Sequence, residues 1–238
     1  NGKAKLLTTA AGEGALPGLP VHSLRLDREG AMWIGTASGI AYIPNASTVL
    51  QSPVDAIKPI EAGRFTLREH AVTAIAVDGG NRKWFGTRRG VWLYSPSGEQ
   101  AIASFTTTNS ILPSDNVLDI DINQQNGEVF IATDQGLASY RAAATEPLTS
   151  PGPVKIFPNP VPPAFAGSVG ISGTPTDAIV KITDVSGRLV WQTKANGSSA
   201  SWNLFDDRGR RVPTGVYIVF TVSQDGDQHE VGKLAVIN

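Results

Sequence analysis

Leu16–Ile43 reads LPGLPVHSLRLDREGAMWIGTASGIAYI, and two later stretches repeat its plan. Val72–Tyr94 reads VTAIAVDGGNRKWFGTRRGVWLY, and Leu112–Tyr140 reads LPSDNVLDIDINQQNGEVFIATDQGLASY. Thr36, Thr87 and Thr133 fall in register, and Gly39, Gly90 and Gly136 follow them by three. Each copy starts with an alternating apolar strand, such as Val72 to Val77, whose period of two puts every second side chain on one face. A polar turn follows, rich in Gly, Asn and Asp, the residues that supply positive φ in hairpins. A second strand pairs an aromatic with a small residue (Trp33 and Gly35, Trp84 and Gly86, Phe130 and Ala132), which predicts tight packing toward a central axis. Another glycine turn leads to a third strand ending at Tyr42, Tyr94 or Tyr140. A period in the forties with this content is the signature of a propeller blade.

Two segments, Lys5–Thr9 and Ser104–Thr108, echo each other ahead of a repeat and are expected as outer strands. Three blades do not close a ring, which takes about 4–8. The missing blades are expected upstream of Asn1, where the chain starts without an initiator Met or signal peptide.

After Tyr140 the period stops. Ala142 to Pro153 is small and proline-rich, as a linker is. Seven short apolar runs follow: 154–157, 168–172, 178–183, 189–194, 200–204, 216–223 and 231–237. Turn glycines separate several of them, the pattern of an antiparallel sandwich. The expected fold is therefore all-β: a partial β-propeller of about three blades over 1–145, a linker over 146–153, and a seven-stranded antiparallel β-sandwich over 154–238.

Composition narrows the function. The 238 residues are 41% hydrophobic and 17% charged, with 25 Gly, 16 Pro and a formal net charge of −1. Such a chain folds around a core and lacks the basic field of a nucleic-acid binder. With no cysteine, disulfides, thiolate metal sites and a cysteine nucleophile are excluded. No apolar run reaches the ~18 residues of a membrane-spanning helix.

Catalytic, metal and cofactor residues are not expected. His22, His70 and His229 lie in separate contexts, and no zincin, nucleophile-elbow or P-loop pattern occurs. Asp119 and Asp121 share one face of a strand, but the natural reading is a solvated face opposite Ile120 and Ile122. Asp206-Asp207 and Asp225-Gly226-Asp227 lack EF-hand spacing and fit hairpin turns. The suggestive cluster is Arg82, Lys83 and Trp84 with Arg88, Arg89 and Trp92. Guanidinium groups make planar contacts to phosphate and carboxylate, and aromatic faces suit sugar rings. An anionic-glycan site is the sharper reading of this cluster; the plainer one, an Arg pair capping a solvated hairpin and Trp residues packed between blades, is preferred to it.

The three copies resemble the two-component regulator propeller repeat. The first carries it through Leu16-Pro17, Asp27, Gly30, Trp33-Ile34-Gly35-Thr36 and Gly39; the third departs at Phe130 and Ala132. The tail resembles the type IX secretion C-terminal sorting domain. It opens with Phe157-Pro158-Asn159-Pro160, continues through Ile182–Val190 with Gly187, then Trp202, and closes with Gly215-Val216-Tyr217 and Gly232–Asn238 with Lys233. In order together, these blocks are specific. Sensor kinases with this propeller usually continue into another sandwich, a membrane span and a kinase.

Propeller plus terminal sorting-like domain is similar to the surface-component family of the type IX attachment complex. The resemblance implies export to the outer-membrane surface. It also implies binding to lipopolysaccharide or another glycan, protein partners within the complex, contact with upstream blades, and no enzymatic activity. Two alternatives remain: a type IX cargo whose tail is cleaved, and the ligand-sensing propeller of a two-component sensor. If the last strand, Val231–Ile237, forms an edge, strand addition by the secretion machinery is expected there.

Overall fold

The computed structural model describes residues 2–51, 53–141, 154–165, 167–175, 177–223 and 228–237. The linker 146–153 and the Asp225–Asp227 turn lie outside the described residues, as does the side chain of His229. Two compact units make up the described chain, one on residues 2–123 and 128–141 and the other on residues 124–127 and from 154 on.

The first unit is built from three antiparallel blades. The first pairs Val21–Leu26, Met32–Thr36 and Gly39–Ile43, and an isolated bridge from Tyr42 to Ile57 marks its outer side. The second is four-stranded: Val72–Val77, Lys83–Thr87, Gly90–Tyr94 and Ala101–Phe105. The third pairs Val117–Asn123, Glu128–Thr133 and Gly136–Arg141. Ala101–Phe105 is an outer strand, but of the blade it follows. Lys5–Thr9 forms no strand; the nearby Glu13–Gly14 pairs in parallel with Val54–Asp55 instead.

The repeats are equivalent in detail. Val21, Val72 and Val117 each pair with the threonine of the second strand, and each inner strand shifts register just after that valine. Each threonine hydroxyl donates to the carbonyl of the glycine three residues on, which closes the second turn: Thr36 to Gly39 (3.0 Å), Thr87 to Gly90 (2.9 Å) and Thr133 to Gly136 (2.9 Å). By this register Tyr94 and Tyr140 are equivalent, whereas Tyr42 matches Leu93; Tyr42 points the other way and stacks on Trp33 at 4.9 Å.

The small residue of the second strand meets the inner strand of the next blade. A Cβ on Gly35 would lie 3.0 Å from Val72, and one on Gly86 would lie 2.7 Å from Val117 Cγ1 and 3.1 Å from Ala74 Cβ. Thr73 spans the same junction, its hydroxyl donating to Val117 O at 2.6 Å. The middle blade therefore buries both faces against its neighbours.

The second unit is a sandwich of seven strands among the described residues, matching the seven apolar runs. One sheet orders Lys155–Phe157, Val169–Ser172 and Ser199–Trp202; the other orders Leu189–Lys194, Ile179–Asp184, Gly215–Val222 and Gln228–Val236. Their inner faces enclose a core centred on Val169, Ile171, Ile182, Trp202, Val219 and Leu234. The final strand is the edge of its sheet and is covered only at its end. Val161 bridges in parallel to Val236, and Val161 N donates to Ala235 O at 2.8 Å.

Candidate functional site

The cluster from Arg82 to Trp92 begins at a tight turn. Asp78 accepts the Gly80 and Arg82 amides through Oδ1, both at 3.0 Å. Its Oδ2 accepts Arg82 Nε at 2.7 Å and Trp84 Nε1 at 3.2 Å. Asp27 does the same in the first blade, accepting the Glu29 and Ala31 amides and Trp33 Nε1, each at 2.9 Å. It also takes an ion pair from the next blade, with Lys83 Nζ at 2.9 Å. The Lys83 side chain is fully buried; Nζ donates to Asn81 O at 2.7 Å and lies 5.0 Å from the centre of the Trp33 ring.

Burial alone would raise the Asp27 carboxyl, but its hydrogen bonds from Lys83, Trp33 and Ala31 hold it below its ordinary value. Burial pushes the Lys83 amine down, with Asp27 only partly restoring it.

Half of the candidate glycan cluster is thus interior. Lys83 and Trp84 are buried, and Arg82 is buried in its pair with Asp78. Trp84 stacks on Phe105 at 5.6 Å and meets Tyr140 at 6.1 Å. The cause is the architecture: the second strand of a blade is covered on both faces, so alternation leaves it no solvent side. Arg88 and Arg89 are exposed and Trp92 is half-buried.

Trp92 opens onto a pocket of about 650 Å³. Its other wall is the segment from Glu61 to His70, which carries the short hairpin Ile60–Glu61 and Arg64–Phe65. The segment is clamped to the second blade. Tyr94 donates its hydroxyl to Glu61 Oε2 at 2.7 Å, Ala101 N donates to Glu61 Oε1 at 3.1 Å, and the Thr66 hydroxyl donates to Gly98 O at 3.0 Å. Burial and the hydrogen-bonded Glu61 carboxylate raise the Tyr94 hydroxyl above its ordinary value. His70 meets Trp92 edge-on at 5.6 Å. Burial, then the nearby Arg89, push the His70 imidazole down, against a smaller opposing pull from Glu69. The sequence reading places His70 only as one of three histidines in separate contexts. The available signal was that the second repeat begins at Leu67, five residues before Val72, with Arg68 where the other copies have Pro17 and Pro113.

The remaining candidates fall as follows. His22 is exposed on the first blade. Asp119 and Asp121 are exposed while Ile120 and Ile122 are buried. Asp206 organises a hairpin turn with Arg210. Among the described residues no group of three or more His, Cys, Asp or Glu is placed to hold a metal ion.

In the sandwich, Asn159 does the work of a strand residue. Its Nδ2 donates to Lys233 O at 2.8 Å and its Oδ1 accepts Ala235 N at 3.2 Å. The peptides before Pro158 and Pro160 are cis. Gly187 adopts φ +84° in the turn that Asp184 holds by accepting Ser186 N and Arg188 N. Trp202 is buried, donates Nε1 to Phe205 O at 2.8 Å, and meets Tyr217 at 5.6 Å. Tyr217 donates to Pro213 O at 2.8 Å across a turn containing Gly215. Burial, with a smaller push from Asp184, raises the Tyr217 hydroxyl above its ordinary value. All these residues hold the sandwich together; Lys233 is exposed.

The two-component regulator propeller family model matches residues 15–38. No curated protein matches the chain. Among solved structures the chain is similar to PorZ, an essential bacterial surface component of the type IX secretion system of Porphyromonas gingivalis. Identity is 32%, covering 92% of this chain and 30% of that one, with a TM-score of 0.65. A looser likeness is the extracellular domain of a hybrid two-component system from B. thetaiotaomicron, at 14% identity, covering 92% of this chain and 32% of that one, with a TM-score of 0.40. The chain thus spans about a third of the length of either structure.

Proposed function

We propose that the chain is part of a non-enzymatic cell-surface component of type IX secretion, which binds anionic lipopolysaccharide and partner proteins of the attachment complex. The observation that carries this reading is the 32% identity to PorZ over 92% of the chain, a span that includes both units. The propeller supplies the binding surface, and the sandwich, with the order of blocks seen in type IX sorting domains, anchors the protein in the export pathway.

Upstream blades of the same repeat belong to this reading. Leu24 is 57% exposed, whereas its equivalents Ile75 and Ile120 are each 1% exposed beneath a preceding blade. Val21 and Leu26 are likewise exposed where Val72, Val117, Val77 and Ile122 are buried. A preceding blade seats its small second-strand residue on Val21.

The separate compactness of the sandwich also suits a cargo whose tail is removed after export, which makes that the second reading. Cosedimentation of the full chain with purified lipopolysaccharide from the producing bacterium tests the first. Binding that weakens as salt rises is expected, because anionic headgroups are held by screened charges. Failure to sediment at any ionic strength contradicts it.

A further inference from the structure

The pocket between the Glu61–His70 segment and the second blade stands where that blade departs from its sisters. Trp92 occupies the third-strand position held by Ala41 in the first blade and Ala138 in the third; each lies opposite the second-strand Phe85, Ile34 or Ile131. Leu16, Leu67 and Leu112 are buried anchors five residues before the inner-strand valine. The following residue is Pro17, Arg68 or Pro113, and two further on stand Leu19, His70 and Asp115. The backbone at that last position is unchanged, since Gly39 N donates to His70 O at 3.0 Å as Gly90 N does to Asp115 O at 2.7 Å. Only the side chains differ, and those of Arg68, His70 and Trp92 converge on one pocket. Packing needs no such change, because its sister blades close with alanine and proline.

The lining has a definite chemistry. Trp92 and Phe65 supply aromatic faces, and Phe65 is exposed with Lys58 Nζ 5.6 Å from its ring centre. Arg64 and Arg68 are exposed on the wall, and no described acidic group forms an ion pair with either. Arg89 adds its charge beside His70. Against these cations stand Glu61, engaged by Tyr94 and the Ala101 amide, and the exposed Glu69. Trp92 Nε1 and His70 Nδ1 are buried beside the pocket without a hydrogen-bond partner.

We infer that this pocket binds a single anionic sugar unit, the pyranose ring against Trp92 and Phe65 and its carboxylate or phosphate on Arg64 and Arg68. The inference rests on the glycan-binding reading of the previous subsection and gives it a site. A ring face on an aromatic and a guanidinium fork on an oxyanion are the complementary halves of such recognition.

Three probes sharing one ring isolate the charge: glucose, glucuronate and glucose 6-phosphate. They are titrated into the full chain while the Trp92 indole N–H, assigned by its loss in Trp92→Phe, is followed by NMR. Glucuronate, glucose 6-phosphate or both are expected to shift that signal at millimolar concentration, and which of them does so separates carboxylate from phosphate as the preferred group. Glucose is expected to leave it in place. Arg68→Ala and Arg64→Ala, both at exposed positions, are expected to weaken binding at least fivefold with the rest of the spectrum unchanged. No shift with either acid, or equal binding by both variants, overturns the site. Lipopolysaccharide cosedimentation separates this from the broader reading. If lipopolysaccharide binds equally to the wild type and both variants, the pocket falls while the reading stands. If the acids bind here but lipopolysaccharide does not, the pocket stands and the reading falls.

Discussion

One residue pattern recurs at four turns. Asp27, Asp78, Asp184 and Asp206 each accept the amides two and four residues on, and each is followed at three by Gly30, Asn81, Gly187 or Gly209 with positive φ. An L-residue with a larger side chain strains there, which is why glycine or asparagine holds the place. Asp27 carries a second duty, as the counter-charge of the buried Lys83. Removing one partner of a buried pair leaves an uncompensated charge, at a cost of about 3–5 kcal/mol. Asp27→Asn is therefore expected to lose about that much stability in urea unfolding, and Asp27→Asn with Lys83→Met to recover most of it. Equal losses in the single and double variants would contradict the pairing. The pH dependence has a definite sign. The folded-state carboxyl lies below its ordinary 3.8, so its contribution is complete above that value and is lost as pH falls through the folded-state value. Asp27→Asn should flatten that acid limb. The sequence shows Asp27 and Trp33 as repeat residues, but the partnership with Lys83 crosses between blades and has no local signature.

Among elements, the inner strand of each blade is the surface on which the previous blade rests. Gly86 marks the contact between the second and third blades. Its missing Cβ would meet Val117 and Ala74, short side chains that have no far end to swing aside. Overpacking of this kind costs about 1–3 kcal/mol, so Gly86→Ala is expected to lower the urea midpoint at unchanged slope. A neutral effect would mean the blades slide apart freely. Blade order and the seven sandwich strands were readable because period-two alternation and turn glycines are local signals. The burial of Arg82, Lys83 and Trp84 was not, because charge and aromaticity in a strand mean exposure only where one face is free, and here neither is. The same limit hid the capping of the last strand's end, which depends on Asn159 reaching Lys233 and Ala235 from more than seventy residues away. The pocket was half legible: Trp92 was named from its chemistry, whereas Arg68 and His70 emerge only when the blades are superposed position by position.

At the scale of the molecule, the chain falls into two compact units. The propeller unit has its second blade modified around a pocket and one inner strand exposed, and the residues of the tail's sequence blocks serve the sandwich structurally. Trp202, Tyr217 and Asn159 bind the sandwich internally, so these residues are spent on folding the unit. This bears on whether the terminal unit is a permanent part of the working protein or a tag removed on arrival. The direct measurement is the intact mass of the mature protein extracted from the cell surface. A surface component of the attachment complex is predicted to retain residues 154–238. A mature form ending between Ala142 and Pro153 would contradict the account and make the protein a cleaved cargo.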